Sequence, residues 1–251
     1  MSKNMVAVVY YKKLSVKNIN EIDLSFKLAR RMGIMQKTCI KLCLELQEKR
    51  PDLFELLKSD CNIPIVFTSA FGEIEAIYNT VKDVSNDLFP VSPTAFQHSV
   101  DNATAGYIAL VLGLHNRSLT MSKGYLSVDN ALYFGAKNVE FGLAPFVIII
   151  NANEYIWPKG DIIAKAEIIV LGNDKIIGNE PVCNLEKIKQ SPDLLDKIKK
   201  IDTLSKEVFI ESKDPDKALY LDLDNHFENY TRFALSNSSD GFLSKWDFEH
   251  N

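Results

Sequence analysis

Apolar runs and helical patterns alternate along the first two thirds of the chain. The β-branched and aromatic run "MVAVVYY" (5–11) predicts a strand. Within residues 24–49, the apolar positions favour one broad face and predict a long helix that begins after Gly33. "IPIVFTSAFGE" (63–73) is typical of a short buried strand that runs into a glycine turn, and residues 74–84 have helical apolar spacing.

The same alternation continues through the middle of the chain. An apolar helix is predicted at 103–114, a strand at 117–122 and a second helix at 127–142. The runs at 145–154 and 161–174 predict two further strands. Five strands interleaved with helices predict an α/β fold, in which helices cover a mixed five-stranded sheet.

The pattern changes in the last third. Residues 184–212 are charged with helical spacing, and residues 217–235 fit either a strand or a helix. The last fifteen residues have no clear pattern. We therefore expect a main domain at 1–178 and a mainly helical C-terminal extension at 179–251.

Composition and charge exclude several classes of protein. Hydrophobic residues make up 46% of the chain and charged residues 25%, with a net charge of −4. This is the ordinary composition of a globular protein, and no basic tract is present that would bind a nucleic acid. The longest apolar stretch, at 143–152, is far shorter than the roughly 20 residues that span a bilayer. The first residues do not resemble a signal peptide.

The cysteines predict neither a metal site nor a cofactor. Cys39, Cys43, Cys61 and Cys183 lack zinc-type pairing, and no histidine pattern supplies further ligands. Cys39 and Cys43 lie four residues apart on one face of the first predicted helix, which favours packing in the core. Unpaired thiols of this kind indicate the reducing cytoplasm.

One turn has the pattern of a nucleophile elbow. "MSKGYLSVDNAL" (121–132) predicts the end of a strand, a glycine turn and the start of a helix. The residue after Gly124 is Tyr125, a phenol, rather than cysteine or serine. Ser127 is the nearest hydroxyl nucleophile, although we expect Ser127 or Asp129 to cap the helix instead.

Four stretches, taken in order, resemble the N-terminal half of β-ketoacyl synthases, which have the thiolase fold. They are "RRMGIMQKTCIKLCLEL" (30–46), "IVFTSAFGEIEAIYNTVKDV" (65–84), "SPTAFQHSVDNATAGYIALVLGL" (92–114) and "RSLTMSKGYLSVDNALYFGAKNVEFG" (117–142). With the next two strands, the resemblance covers about residues 25–172. It is strongest to a short ketosynthase-like group that resembles chain-length factors and accompanies enzymes of aryl polyene biosynthesis.

The resemblance implies an elbow without its catalytic group. A ketosynthase carries a cysteine there, and the N-terminus of the following helix favours the thiolate that takes up the acyl chain. Tyr125 occupies that position here, and a phenol with a pKa of about 10 is a poor acyl acceptor. Shifting the alignment by one residue offers only Gly124 or Leu126, and shifting it by two offers Ser127.

The histidines do not complete a ketosynthase site either. The family's catalytic histidines lie in its C-terminal half, where this sequence has only His226 and His250, without the glycine-rich surroundings. We expect a structural hydrogen-bonding role for His98 and a position at a helix end for His115. A serine, histidine and aspartate relay within "QHSVD" (97–101) is excluded, because neighbouring side chains diverge.

The resemblance further implies a partner. The family pairs edge to edge through the strand before the elbow, so we expect a full-length β-ketoacyl synthase or a second copy of this chain there, with acyl carrier protein as a further partner. Bulky side chains near the elbow would limit the length of the acyl chain, unless they only pack in the core. Besides Tyr125, the candidate tunnel and interface residues are Phe96, His98, Asn102, Ser118, Leu119, Thr120, Met121, Tyr133 and Phe134.

The predicted function is therefore a catalytically silent, chain-length-factor-like subunit of a fatty acid or aryl polyene type of pathway. One alternative is an acyltransferase or hydrolase that uses Ser127 or a cysteine. Another is a homodimeric acyl-binding module. The apolar face of the half fold would need a cover, either residues 181–251 or another chain.

Overall fold

The structure, a computed structural model, describes residues 5–86, 93–124, 126–156, 162–173, 183–190, 209–211, 232–239 and 242–249. The strands are β1 (Ala7–Val16), β2 (Ile65–Thr68), β3 (Ser118–Met121), β4 (Phe146–Ile156), β5 (Ile162–Gly172), β6 (Cys183–Gln190), β7 (Phe209–Glu211), β8 (Arg232–Ser239) and β9 (Phe242–Glu249). The helices are α1 (Ile34–Lys49), α2 (Pro51–Ser59), α3 (Ile74–Asn86), α4 (Pro93–His98), α5 (Ala103–Leu112) and α6 (Ser127–Glu140). Two short 3-10 turns, Ile19–Glu21 and Lys27–Arg31, precede α1.

All the described strands form one sheet in the order β3-β2-β4-β5-β1-β6-β9-β8-β7. Strand β2 is parallel to both β3 and β4, whereas β5 is antiparallel to β4 and β1. The first five strands therefore form the mixed five-stranded sheet that the sequence predicts. Because β3 is the first strand in the order, its outer side has no strand beside it in the described part of the chain.

Helices cover both faces of this sheet. The larger apolar cluster lies between the sheet and α1, α2 and α5, and it includes Leu42, Phe67 and Phe146. The smaller cluster lies under α6 and includes Leu132 and Ile149. The strands of the five-stranded part contribute to both clusters because successive side chains point to opposite faces.

Gly135 determines how closely α6 approaches the sheet. A Cβ atom at this position would lie 3.1 Å from the Cδ1 atoms of both Ile149 and Leu171. We expect Gly135→Leu to destabilise the protein by about 2 kcal/mol, because the larger side chain would push α6 away from β4 and β5. Chemical denaturation measures this loss.

Gly106 in α5 provides the matched control. A Cβ atom there would meet no other atom within 4 Å. Gly106→Ala should therefore stabilise the protein by about 0.5–1 kcal/mol through helix propensity alone. Equal losses of stability in Gly106→Ala and Gly135→Leu would contradict the close approach of α6 to the sheet.

Several predicted elements are confirmed, and two helices were missed. Helix α1 begins directly after Gly33, and α5, α6 and the strands lie within a few residues of their predicted bounds. Helix α2 was not predicted, although Pro51 at its first turn is a common helix start. Helix α4 was also missed, since it is only six residues long.

The prediction of a mainly helical C-terminal extension is wrong for its described stretches, which are strands β6 to β9. Leu185 and Ile188 have helical spacing, but pairing of β6 with β1 and β9 overrides that local preference. Ser239 pairs with Phe242, and the Asp-Gly sequence between them is a strong hairpin signal that could have identified β8 and β9. These strands continue the sheet beside β1 rather than stacking on one of its faces.

Cys39 and Cys43, on α1, are buried in the larger apolar cluster, as predicted. In the described residues, no helix combines the length and the apolar character that crossing a bilayer requires.

Candidate functional site

The elbow has the predicted strand, turn and helix. Strand β3 ends at Met121, Gly124 has a φ of +52°, and α6 begins at Ser127. A left-handed conformation of this kind favours glycine, which explains the residue at the turn. Tyr125, the residue predicted to occupy the nucleophile position, lies outside the described residues.

The Ser127 hydroxyl is fully engaged in hydrogen bonds. Its Oγ accepts the backbone N–H of Lys123 at 2.8 Å. Its proton faces two carbonyl oxygens, that of Gly124 at 2.6 Å and that of Ser69 at 3.1 Å. Because Ser127 is also buried, its hydroxyl does not face a substrate. It connects the elbow to Ser69, the residue that follows β2.

Ser127 does not have the predicted capping role. Leu126 is the N-cap residue of α6, and its own side chain makes no capping hydrogen bond. Ser127 accepts a backbone N–H from Lys123, which precedes the helix, so its hydroxyl stabilises the turn. Asp129, the other candidate, is buried in the first turn of α6, and its capping role stays a prediction.

The turn between β2 and α3 connects the elbow with a second polar region. The side-chain oxygen of Asn153 accepts hydrogen bonds from the Ser69 hydroxyl at 3.1 Å and from the Ala70 N–H at 2.7 Å. The Gly72 N–H donates to Ser69 Oγ at 2.9 Å. These bonds fix the backbone that leads to Glu73 and to the start of α3.

Glu73 is the centre of a buried hydrogen-bond cluster. Gln36 Nε2 lies 2.8 and 2.9 Å from its two carboxyl oxygens, and the Thr104 hydroxyl donates to it at 2.6 Å. Gln36 Nε2 is also 3.1 Å from His98 Nδ1. An amide N–H only donates, so Nδ1 is the acceptor and the ring proton lies on Nε2, 3.2 Å from the Tyr107 hydroxyl oxygen. The expected hydrogen-bonding role of His98 fits this arrangement.

Glu154 supplies a second buried carboxyl from the end of β4. Its oxygens accept the backbone N–H groups of Met35 at 3.3 Å and Glu75 at 3.0 Å, so it joins the first turns of α1 and α3. Burial raises the pKa of both Glu73 and Glu154 to about 7. Burial lowers the pKa of His98, which keeps its ring neutral at physiological pH.

Both carboxyls open onto a cavity of about 390 Å³. Its lining residues are Ile19, Arg30, Arg31, Met32, Gly33, Glu73, Glu75, Ala76, Asn79, His98 and Glu154. Of the predicted site residues that the structure describes, one, His98, lines the cavity. The carboxyls were missed, although a glutamate that ends an apolar strand, as in "VIIINANE", is an unusual pattern that could have pointed to Glu154.

The four predicted interface residues Ser118, Leu119, Thr120 and Met121 make up β3. The carbonyl oxygens of Arg117 and Met121 accept hydrogen bonds from the β2 side, at 2.9 and 3.3 Å. In a strand the polar groups of successive residues alternate in direction, so the backbone N–H and C=O of Ser118 and Thr120 point away from β2. The free edge of the sheet therefore presents two donors and two acceptors.

The remaining candidates differ in their exposure. Phe96 on α4 is 59% exposed and Tyr133 on α6 is 36% exposed. Phe134 packs against the smaller apolar cluster, as the alternative of core packing requires. Asn102 is an exposed N-cap residue of α5 whose side chain makes no capping hydrogen bond.

The two buried thiols of α1 are poorly placed for catalysis. Burial raises the pKa of Cys43 to about 12 and that of Cys39 well above its usual value, so neither forms a thiolate near neutral pH. Cys61 is exposed. His226 and His250 lie outside the described residues. Within the described residues, no three metal-ligating side chains are grouped closely enough to hold a metal ion.

Comparison with known proteins supplies the family. The profile of the family described as "Beta-ketoacyl synthase, N-terminal domain" matches residues 18–159. A comparison with curated protein sequences found no match.

Solved ketosynthase structures share the fold. A chain of AntDE:AntF, a type II PKS acyl-carrier protein in complex with its ketosynthase, is 14% identical, with a TM-score of 0.74 over 99% of this chain and 100% of that chain. A chain of the ketosynthase ApeO in complex with its chain length factor ApeC, from Xenorhabdus doucetiae, is 16% identical, with a TM-score of 0.61 over 97% and 99%. The ishigamide ketosynthase/chain length factor is 10% identical, with a TM-score of 0.70 over 98% and 99%. The chain therefore has the thiolase-like α/β fold of these proteins.

Proposed function

This chain belongs to the β-ketoacyl synthase N-terminal domain family, and from that membership we propose that it is a catalytically silent subunit, similar to a chain-length factor, that pairs with an active β-ketoacyl synthase. The observation that carries the proposal is the preserved junction of β3 and α6, at which the described residues offer no thiol. The scaffold that would present a nucleophile is kept, and its chemistry is not.

The chemistry of condensation explains why the missing thiol matters. In a ketosynthase, a thiolate at the N-terminus of the elbow helix takes the acyl group from its carrier thioester. The buried thiols of Cys39 and Cys43 are on α1, and the Ser127 hydroxyl is held by three backbone groups. None of these groups supports the alternative of an acyltransferase or hydrolase.

The free edge of β3 supports pairing with another chain. An exposed strand edge offers unpaired N–H and C=O groups, and a partner strand satisfies them by extending the sheet. ApeO occurs in complex with its chain length factor, and we infer a similar assembly for this chain. A homodimer through the same edge is the second arrangement that the geometry allows.

We assign the role of limiting acyl length to Phe96 and Tyr133, together with Tyr125 of the elbow. The exposed Phe96 and Tyr133 rings offer apolar surface for an acyl or polyene chain in the paired ketosynthase. We infer that the protein acts in an aryl polyene, type II polyketide or fatty acid pathway of the cytoplasm, where acyl carrier protein would supply the chain.

Co-expression with the ketosynthase encoded nearest to its gene tests the proposal. We expect the two chains to co-elute on size-exclusion chromatography in equal amounts, and only the ketosynthase to become acylated in mass spectra. Phe96→Ala should lengthen the product of the complex. Phe141, at the C-terminal end of α6, provides the control, because it is 57% exposed and Phe96 is 59% exposed. Phe141→Ala should leave the product unchanged.

Two results would contradict the proposal. One is a stable homodimer that binds no ketosynthase. The other is an acyl group on this chain itself, which would favour the enzyme alternative if Ser127→Ala abolished the label.

A further inference from the structure

Two buried carboxyls face the cavity without a fixed positive charge beside them. The carboxyl pair, Glu73 and Glu154, is 6% and 1% exposed. In the described part of the chain, the basic side chain within ion-pair distance of the pair is His98, whose Nδ1 is 3.8 Å from Glu73 Oε2. That nitrogen accepts a hydrogen bond from Gln36, so the neutral ring does not balance the charge. A buried carboxyl is either paired with a positive charge or kept neutral, so in its ionised form this pair can accept a cation from the cavity.

Gly33 keeps the space in front of both carboxyls open. A Cβ atom at Gly33 would lie 3.7 Å from Glu73 Oε2 and 3.9 Å from Glu154 Oε1, so any longer side chain at this position would crowd both groups. With glycine there, both carboxyls stay accessible from the cavity that they line. An ammonium group that enters this cavity has three N–H donors, enough to bond both carboxyls.

The rim of the cavity has the opposite charge. The arginine pair, Arg30 and Arg31, lines the cavity and is exposed. Neither guanidinium has a hydrogen-bond or ion-pair partner among the described residues. Guanidinium groups bind carboxylate and phosphate oxygens, so the rim suits an anion while the floor suits a cation.

We propose that this cavity binds a small zwitterion, with its ammonium group between the carboxyl pair and its carboxylate at the arginine pair. A ligand of the size of an amino acid fits a volume of about 390 Å³. The site is separate from the elbow, and the turn of Ser69 to Gly72 connects the two. Binding would tie together the starts of α1 and α3, which Glu154 already joins.

Calorimetric titration of the full chain with three related probes tests the site. The probes are 4-aminobutanoate, butylamine, which lacks the carboxylate, and butanoate, which lacks the amine. At about pH 8, where the carboxyl pair is ionised, we expect 4-aminobutanoate to bind at least about tenfold more tightly than either single-charge probe. At about pH 5 its binding should weaken at least about tenfold, because protonated carboxyls no longer attract the ammonium group.

Charge-removing variants separate the two ends of the site. Glu154→Gln should weaken both amines, whereas Arg30→Gln should weaken 4-aminobutanoate and leave butylamine unchanged. Glu55→Gln and Arg117→Gln remove the same charges from exposed positions outside the cavity lining and should bind all probes like the unaltered chain. Circular dichroism establishes that each variant is folded.

The inference fails on any of three outcomes. Butanoate could bind as tightly as 4-aminobutanoate, or no amine could bind to the folded, unaltered protein at about pH 8. Calcium or magnesium could also displace the amine, which would identify the site as one for a metal ion. Because the probe comparison uses the unaltered chain, a variant that does not fold leaves the test decisive.

Discussion

Replacing Thr120 with proline should abolish pairing with the proposed partner ketosynthase and leave the fold intact. The Thr120 N–H points away from β2, so proline removes a donor from the free edge without breaking a hydrogen bond to β2. Its ring also blocks the approach of a second strand. We expect the dissociation constant of the complex to rise at least about a hundredfold, measured by calorimetry or by loss of co-elution.

Thr120→Val is the matched control, because it keeps the N–H and suits a strand. It should associate like the unaltered chain. The thermal unfolding of Thr120→Pro, measured for the isolated chain, shows whether the fold survives. If Thr120→Pro is folded and still pairs normally, the partner binds elsewhere, and pairing through β3 is excluded.

Raising the pH from about 5 to about 8 should lower the free energy of unfolding by about 5 kcal/mol through two buried carboxyls. The pKa values of Glu73 and Glu154 rise from 4.5 to about 7 on folding, chiefly because of burial. Between these values the folded chain keeps protons that the unfolded chain has released. The stabilisation is therefore fully present below about pH 4.5 and is lost as the pH rises through 7.

Other groups around the cavity modify this profile. The pKa of His98 is lowered by burial, so His98 has the opposite sign and makes stability increase with pH below its ordinary value of 6.5. Glu75 and the arginine pair also face the cavity. A zwitterion bound between the carboxyls would flatten the profile by favouring their ionised forms.

Urea denaturation at several pH values measures how the free energy of unfolding depends on pH. Glu154→Gln removes one of the two titrating carboxyls and should reduce the loss of stability by about half. Glu55→Gln removes an exposed carboxyl from α2 and should leave the profile unchanged. A flat profile for the unaltered, ligand-free chain would contradict buried carboxyls with raised pKa values.

The sequence predicted most of the five-stranded part of the fold because its signals there are local. Gly33 precedes α1, and the apolar runs of β2, β4 and β5 identify buried strands. Strands β6 to β9 could not be recognised in the same way, since their pairing partners lie far along the chain. Strand β6 pairs with β1, which begins at Ala7.

The candidate site was predicted less completely, for a physical reason. The elbow is a contiguous motif, and Gly124 and Ser127 lie at the strand-to-helix junction as expected. The carboxyl pair comes from residues that are far apart, at the start of α3 and on β4. Only the folded backbone brings Glu73 and Glu154 to the same glycine.

The junction between β1 and β6 has a consequence for cooperativity. Among the described residues, two pairs join these strands, Ala7 with Asn184 and Val8 with Cys183, whereas β1 and β5 pair along most of their length. A ladder of few residue pairs holds two strands together less strongly than a long one. The four C-terminal strands should therefore open as a separate foldon, and their amides should exchange with deuterium well before those of β4 and β5.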